Sequence, residues 1–448
     1  HLRLQPLVHG RRVRAPGGDA MTGVRPETKS AAAAVEKFLA LTDAAVASYL
    51  EACVHCGECA EACHFYLVTE DPKYTPTYKL RPMVRAYQRH KAPFADLKRA
   101  LGLAPSEVTE AELEEWSPLV YDSCTLCGRC TVVCPMGIDI AGAIRKMREG
   151  MTAGGFAPLD LYKAADRAIE TGSPLGVGVK ALRKTVEIQE KKTGIPVPLD
   201  KQGADYLVIL SAMEIIGFPE TIGALAKLFK QANLDWTIST RTFEATNVGI
   251  QMGSKEVAAT LVGRIVATAE ELGVKYVISP ECGHAYGALK WEGPNLIGRA
   301  YRFEVVHIVE LLDRLLKEGR IKVRGKDARR LTFHDPCQLG RRGGLVEEPR
   351  NVMRAVAPDF VEMENAGMWN ICCGGGGGVS TNSRAEELRI QAFRCKKQQI
   401  EDLGGIQGVV TACANCRNVM EEAIDHYGME LPVMGLSEFL AEYLEPQA

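Results

Sequence analysis

The chain has 448 residues, 46% hydrophobic and 25% charged, which is enough for two or three packed domains and excludes an intrinsically disordered or fibrous protein. A formal net charge of −2 offers no basic field for nucleic acid or an anionic membrane surface. No apolar run approaches the roughly 18 residues that cross a bilayer, so the chain is expected not to be transmembrane itself and to reach a membrane only through a partner.

The first twenty residues carry Arg11, Arg12 and Arg14 without an apolar core behind them, which suits neither a Sec nor a twin-arginine signal. Met21 reads as a start, residues 1–20 as non-native or disordered, and residues 1–44 as a tail with a leading helix. An alanine-rich helical pattern over 27–50 leads into Cys53, Cys56, Cys59 and Cys63. A long insertion, 64–123, separates this run from Cys124, Cys127, Cys130 and Cys134, and its proline-punctuated stretch 72–82 precedes helical candidates at 83–88 and 110–116. The second opens with Thr109-x-x-Glu112, a capping-box pattern. Helices are predicted again over 140–149 and 161–170, and the breaker-rich segments 172–178 and 194–198 close a helical domain over 45–195.

Beyond the boundary, strands and helices alternate. Short buried strands are predicted at 206–210, 236–239 and 276–279, with a helix over 255–272 stopped by Gly273. The order returns with strands at 330–333, 360–363 and 408–411 and a helix over 384–403 that opens with Ser383-x-x-Glu386 and closes at Gly404. Cys337 lies 35 residues before Cys372, and the same interval from Ser211 reaches Thr246-Asn247. The strand ending at Cys282 then matches the one ending at Cys413. This recurrence is an internal duplication: residues 204–325 form a first copy holding only Cys282, with Ser211, Thr246, Asn247 and Ala285 at the other places. Residues 326–448 form a complete second copy with Cys337, Cys372, Cys373, Cys413 and Cys416. The expected fold is therefore α+β and multi-domain, a helical two-cluster ferredoxin domain followed by two duplicated α/β domains.

The chemistry lies in the cysteines. Fifteen cysteines could suggest disulfides, but eight fall in two C-x2-C-x2-C-x3-C runs that read as metal ligands in a reducing, cytoplasmic compartment. Three thiols at this spacing wrap three corners of a 4Fe–4S cubane, and the fourth of each run ordinarily serves the other cluster. Cys134 is thus expected to complete the site of Cys53, Cys56 and Cys59, and Cys63 the site of Cys124, Cys127 and Cys130. Zinc, the alternative for paired cysteines, prefers two pairs and fits this rhythm poorly. The first run has His64 where the second has Pro135. In the second copy, adjacent Cys372 and Cys373 followed by Gly374, Gly375 and Gly376 imply a backbone that bends hard against an inorganic core, with amide donors offsetting its charge. No phosphate-loop pattern accompanies these glycines.

The segments Ser279-Pro-Glu-Cys-Gly-His-Ala-Tyr-Gly287, His334-Asp-Pro-Cys-Gln-Leu-Gly340, Cys372-Cys373 with its glycines, and Cys413-Ala-Asn-Cys416 resemble the cysteine-rich CCG domains of heterodisulfide reductase catalytic subunits. From about residue 45 onward the chain looks like the fused ferredoxin-plus-CCG type, which includes the D subunit of membrane-bound heterodisulfide reductase and the K subunit of the Dsr sulfite-reduction complex. The resemblance implies a noncubane 4Fe–4S cluster held by Cys337, Cys372, Cys373, Cys413 and Cys416, beside two cubane clusters. It implies an iron–sulfur thiol/disulfide oxidoreductase subunit within a quinone-linked respiratory complex. The substrate would be a disulfide, persulfide or trisulfide of a small sulfur-carrier protein or thiol, and the electron partner a cytochrome b-type or other redox membrane subunit. The alternative is a pure electron-transfer subunit between a flavoprotein or dehydrogenase and the quinone pool. Having one complete copy rather than two departs from the methanogen enzymes and favours the K-type reading.

Cys282 is expected to be a further iron ligand or a substrate-facing thiol, against a plain buried cysteine, and His284 a proton donor to a leaving thiolate, against a loop-bracing histidine. His334 is read as orienting the first cysteine loop, Cys395 as packing, and Arg341 and Arg342 as either substrate-binding or solvated.

Overall fold

The computed structural model describes residues 23–446, so the expectation for residues 1–20 lies outside the described part. The N-terminal half is helical. Ala31–Leu41 and Ala44–Glu51 begin at Ser30 and Asp43, whose side chains accept the N–H groups of Ala33 and Val46. Thr109 caps Glu110–Tyr121 by accepting from Glu112 N, the start expected from its sequence pattern. Ile140–Ala153 runs through the middle of this half and buries Ile140, Ile144, Met147 and Met151. Leu159–Thr171 ends at Gly172, and a further helix, Val179–Thr193, fills the interval between the two breaker segments.

Two parallel sheets follow. The first contains β1 (Tyr206–Val208), β2 (Trp236–Ile238), β3 (Tyr276–Ser279) and β4 (Glu304–His307) in the order β2-β1-β3-β4. The second contains β5 (Leu331–His334), β6 (Gly408–Thr411) and β7 (Val433–Gly435) in the order β5-β6-β7. A single parallel bridge from Thr332 to Val361 stands where β2 stands in the first sheet. The expected strand at 360–363 is thus reduced to one bridge, while β4 and β7 were not anticipated. These strands are three or four residues long and mostly buried, as parallel strands covered on both faces are, and they show no polar alternation. The helix Lys255–Leu272 and its stop at Gly273 agree with the sequence reading. The helix expected over 384–403 is broken into a 3-10 turn at Ser383–Ala385 and helices Glu386–Ala392 and Arg394–Asp402, with buried Phe393 between them. The architecture is α+β and multi-domain.

One apolar core spans both sheets, joining Leu207, Val277 and Val306 to Leu331, Val410 and Phe439. A second fills the helical half and takes in Val248, Met252, Val257 and Leu261 from the first sheet's helices. The helical half is therefore seated on the first sheet unit by continuous packing. No helix among the described residues is long and apolar enough to cross a membrane.

Candidate iron–sulfur centres

The two early cysteine runs bend the same way. In Cys53-Val-His-Cys-Gly-Glu-Cys59, His55 and Gly57 have φ of 54° and 90°. In Cys124-Thr-Leu-Cys-Gly-Arg-Cys130, Leu126 and Gly128 have 56° and 77°. Left-handed backbone costs a non-glycine residue energy, and its recurrence at matching places marks a turn imposed by what the thiols face. Each run then enters a one-turn helix, Glu58–Glu61 or Arg129–Val132. Cys53, Cys56, Cys59 and Cys134 line one cavity, and Cys63, Cys124, Cys127 and Cys130 line another. The structure brings Cys134 beside the first run and Cys63 beside the second. Burial pushes the Cys63 and Cys130 thiols up, so without metal they hold their protons. An all-thiol donor set of this kind fits iron–sulfur clusters, whose iron replaces those protons. His64 is buried, and desolvation pushes it down to about 3, so it stays neutral beside Cys63.

The five thiols of the second sheet unit converge. Cys337 follows β5, Cys413 follows β6 and caps Ala414–His426, and the doublet lies on the loop between. The sulfur of Cys337 is 3.8 Å from that of Cys372, and the sulfurs of Cys373 and Cys416 are 3.3 Å apart. Both separations are far beyond a disulfide bond, and all fifteen cysteines are free. Gly374 N donates to Cys372 Sγ and Cys416 N to Cys413 Sγ, both at 3.4 Å. The five are 1–5% exposed and share one buried cluster, against which Cys127 of the second cradle packs.

The glycine run lies where three units meet. Gly377 has φ 59°, and a Cβ there would come 2.8 Å from the Thr125 carbonyl carbon, while one at Gly376 would lie 3.1 Å from both Thr125 O and His284 Cε1. These glycines let the second sheet unit touch the Cys124–Cys127 loop, a role beyond backbone contact with a cluster. His284 Nε2 accepts from Gly377 N at 3.2 Å, and burial lowers the ring to about 4, so it is neutral near pH 7 with its proton on Nδ1. Cys282 is 8% exposed with its thiol pushed up by burial, and its backbone (φ −150°, ψ 102°) matches that of Cys413 (φ −154°, ψ 113°). Cys395 is half-buried in Arg394–Asp402, its sulfur 4.0 Å from His64 O.

Several arginines that sequence reading left open or missed do the joining. Arg148, fully buried in Ile140–Ala153, donates to Val120 O, to Cys124 O at 2.6 Å, to Gln251 O at 2.7 Å and to Gly377 O. It thereby ties the second cradle to both sheet units. Arg341 is 8% exposed and donates to Cys127 O at 2.9 Å and to Asn370 O, so it is neither solvated nor free for substrate. Arg129 reaches Ala62 O, Trp369 O and Asn365 Oδ1. Gln338 Nε2 donates to Leu126 O at 2.7 Å. Lys396, 1% exposed, rests its amine on Gln399 Oε1 and Met363 Sδ, and desolvation lowers it to about 8. Guanidinium groups bonded to backbone carbonyls leave no trace on the acceptor residues, so no motif announces them.

Two four-thiol cradles, one abutting a five-thiol cradle, define an iron–sulfur redox protein. Residues 49–138 match the family described as a 4Fe-4S dicluster domain, and residues 331–421 match the cysteine-rich domain family. The chain is 28% identical to the Hdr-like menaquinol oxidoreductase iron-sulfur subunit 2 of Archaeoglobus fulgidus, over 88% of this chain and 80% of that protein. It is 27% identical to the D subunit of the dihydromethanophenazine:CoB–CoM heterodisulfide reductase of Methanosarcina barkeri, over 88% of this chain and 94% of that one. With the EtfAB:quinone oxidoreductase of Syntrophomonas wolfei it shares 28% identity over 84% of this chain and 55% of that protein. These matches support a heterodisulfide reductase-related CCG iron–sulfur family. The chain is an oxidoreductase component carrying 4Fe–4S clusters in electron transfer.

Proposed function

We propose that the chain is the iron–sulfur subunit of a quinone-linked respiratory complex that reduces, or forms, a sulfur–sulfur bond. Two cubanes would sit in the cradles of Cys53, Cys56, Cys59, Cys134 and of Cys63, Cys124, Cys127, Cys130. A noncubane 4Fe–4S cluster would sit on Cys337, Cys372, Cys373, Cys413 and Cys416. When bound, these clusters accept and release single electrons, which a disulfide takes up in pairs with two protons to give two thiols. The observation that supports the reading is the packing of Cys127 against the five-thiol cluster, which puts the second cradle in direct contact with it for electron transfer.

Around that terminus the chain supplies fixed donors. Gly374 N and Cys416 N stabilise negative sulfur, and the glycine run closes the site against Thr125. Cys282, whose backbone mirrors that of Cys413, is the proposed substrate-facing thiol. His284, neutral and with Nε2 held by Gly377 N–H, is the proposed hydrogen-bond donor, through Nδ1, to a leaving thiolate. The substrate is a disulfide, persulfide or trisulfide on a small sulfur-carrier protein or thiol. The electron partner is a cytochrome b-type or other redox membrane subunit, which would hold this chain at the cytoplasmic face of the membrane.

The near-complete burial of the five thiols favours a second reading, in which the third cluster only relays electrons between a flavoprotein or dehydrogenase and the quinone pool. The two separate on the anaerobically purified, dye-reduced chain. Turnover of a disulfide or persulfide carrier, with an electron paramagnetic resonance (EPR) spectrum altered by added thiol, is expected for sulfur chemistry. Absence of both transfers the assignment to the relay.

A further inference from the structure

His334 closes β5, three residues before Cys337, and is 1% exposed. Neither of its ring nitrogens has a hydrogen-bond partner among the described residues. A buried imidazole always carries at least one N–H, and burying that donor unpaired is costly, so such a ring calls for a partner. A ring nitrogen of His334, Cys373 Sγ and Cys416 Sγ all lie within 4.8 Å of one another. The ring therefore faces sulfur rather than solvent or backbone. The first sheet makes the same point by contrast: the end of its matching strand, Val208, Ile209 and Leu210, is buried and wholly apolar, in the copy that lacks four of the five thiols. At this strand end the copy with the thiols has histidine and the copy without them has valine.

We propose that His334 is a sixth protein group of the five-cysteine site, donating its ring N–H to sulfur on the Cys373–Cys416 side and so raising the reduction potential of the group those thiols hold. This rests on the reading that the five cysteines carry a cluster. The backbone already gives an N–H each to Cys372 and Cys413, from Gly374 and Cys416, and the imidazole supplies one on the remaining side. A donor to thiolate sulfur offsets charge most in the reduced, more negative state, so its removal favours oxidation. His334 is a positioning and tuning residue here, acting on sulfur rather than on substrate.

The test uses the full chain, purified anaerobically, and follows the EPR signal that Cys373→Ser abolishes. If the unaltered chain has no such signal, the cluster reading falls and this inference with it. Given the signal, His334→Phe is expected to keep its iron while lowering the reduced-to-oxidised ratio at fixed potential about tenfold, a negative shift of about 59 mV for one electron. His334→Asn, which restores an N–H, should recover part of that shift. An unshifted potential in His334→Phe overturns the proposal, as does equal loss of iron from both variants. Should His334→Phe fail to fold, 15N-histidine labelling of the unaltered chain decides: a weak nitrogen coupling supports the hydrogen bond. No coupling, or the strong coupling of a direct iron ligand, overturns it.

Discussion

The two sheet units share strand order and a cysteine at the same backbone turn, yet they fill the space around that turn with different materials. In the second, five sulfurs converge, with backbone N–H groups aimed at two of them. In the first, polar side chains pair mainly with nearby backbone groups. Ser211 and Glu214 form a reciprocal cap, Glu244 accepts from Thr246 N, and Asn247 accepts from Ile250 N while donating to Ala258 O. A fold that can close this space with hydrogen bonds does not need metal to hold its shape. The thiols of the second unit are thus not needed to shape the fold, and from the first unit His284 reaches its neighbour by accepting from Gly377 N.

The sharpest way to break that contrast is to remove one sulfur from each unit. Cys373→Ala is expected to cost about four of the roughly twelve irons that two cubanes and a four-iron site would hold, while Cys282→Ala leaves the iron count unchanged. Iron and acid-labile sulfide assays read both, and equal losses would erase the distinction between the units. Next in size is the joint between them. Arg148→Met strips charged donors from the buried carbonyls of Val120, Cys124, Gln251 and Gly377 and should destabilise the chain by about 3 kcal/mol. Denaturant unfolding measures this loss. Arg148→Lys should recover little of it, since one ammonium cannot reach four carbonyls as a guanidinium does.

The smallest effect concerns acidity within the first unit. Burial raises Glu214 and Glu244 from 4.5 to about 7, and Glu281 to about 8. A carboxyl whose folded value is raised keeps its proton in the native state while the unfolded chain has released it. Their contribution to stability is therefore fully present below pH 4.5 and is lost as pH rises from there through 7 to 8, by about 1.4 kcal/mol per pH unit for each proton held. Glu214→Gln should flatten that slope in melts taken between pH 5.5 and 8, whereas Cys416→Ser should leave it unaltered. An unchanged slope in Glu214→Gln would mean that the carboxyl is ionised as folded.

Much of this was legible in the residues themselves. Ligand spacing is a local property, so the two runs and the exchange of Cys63 and Cys134 could be read directly. Caps and stops such as Thr109 and Gly273 are likewise local. The helix break at Phe393 was hidden because residues 384–403 carry no glycine or proline, and the interruption there comes from packing. Strands β4 and β7 were hidden because three or four mostly buried residues give no periodicity. The arginine joints were the largest gap. Arg148 looks like any polar residue on an amphipathic helix until its acceptors, up to 229 positions away, are brought beside it.

That separation has a consequence for biosynthesis. At about 5–20 residues per second, the ribosome delivers Gly377 roughly ten to forty-five seconds after Arg148. Throughout that interval the nascent N-terminal half lacks one of its interior acceptors, and the Cys124 loop that shares the guanidinium has yet to be locked from the far side. Until the carboxyl-terminal unit docks, the second cradle therefore lacks the contact that Arg148 makes across it to Gly377 O.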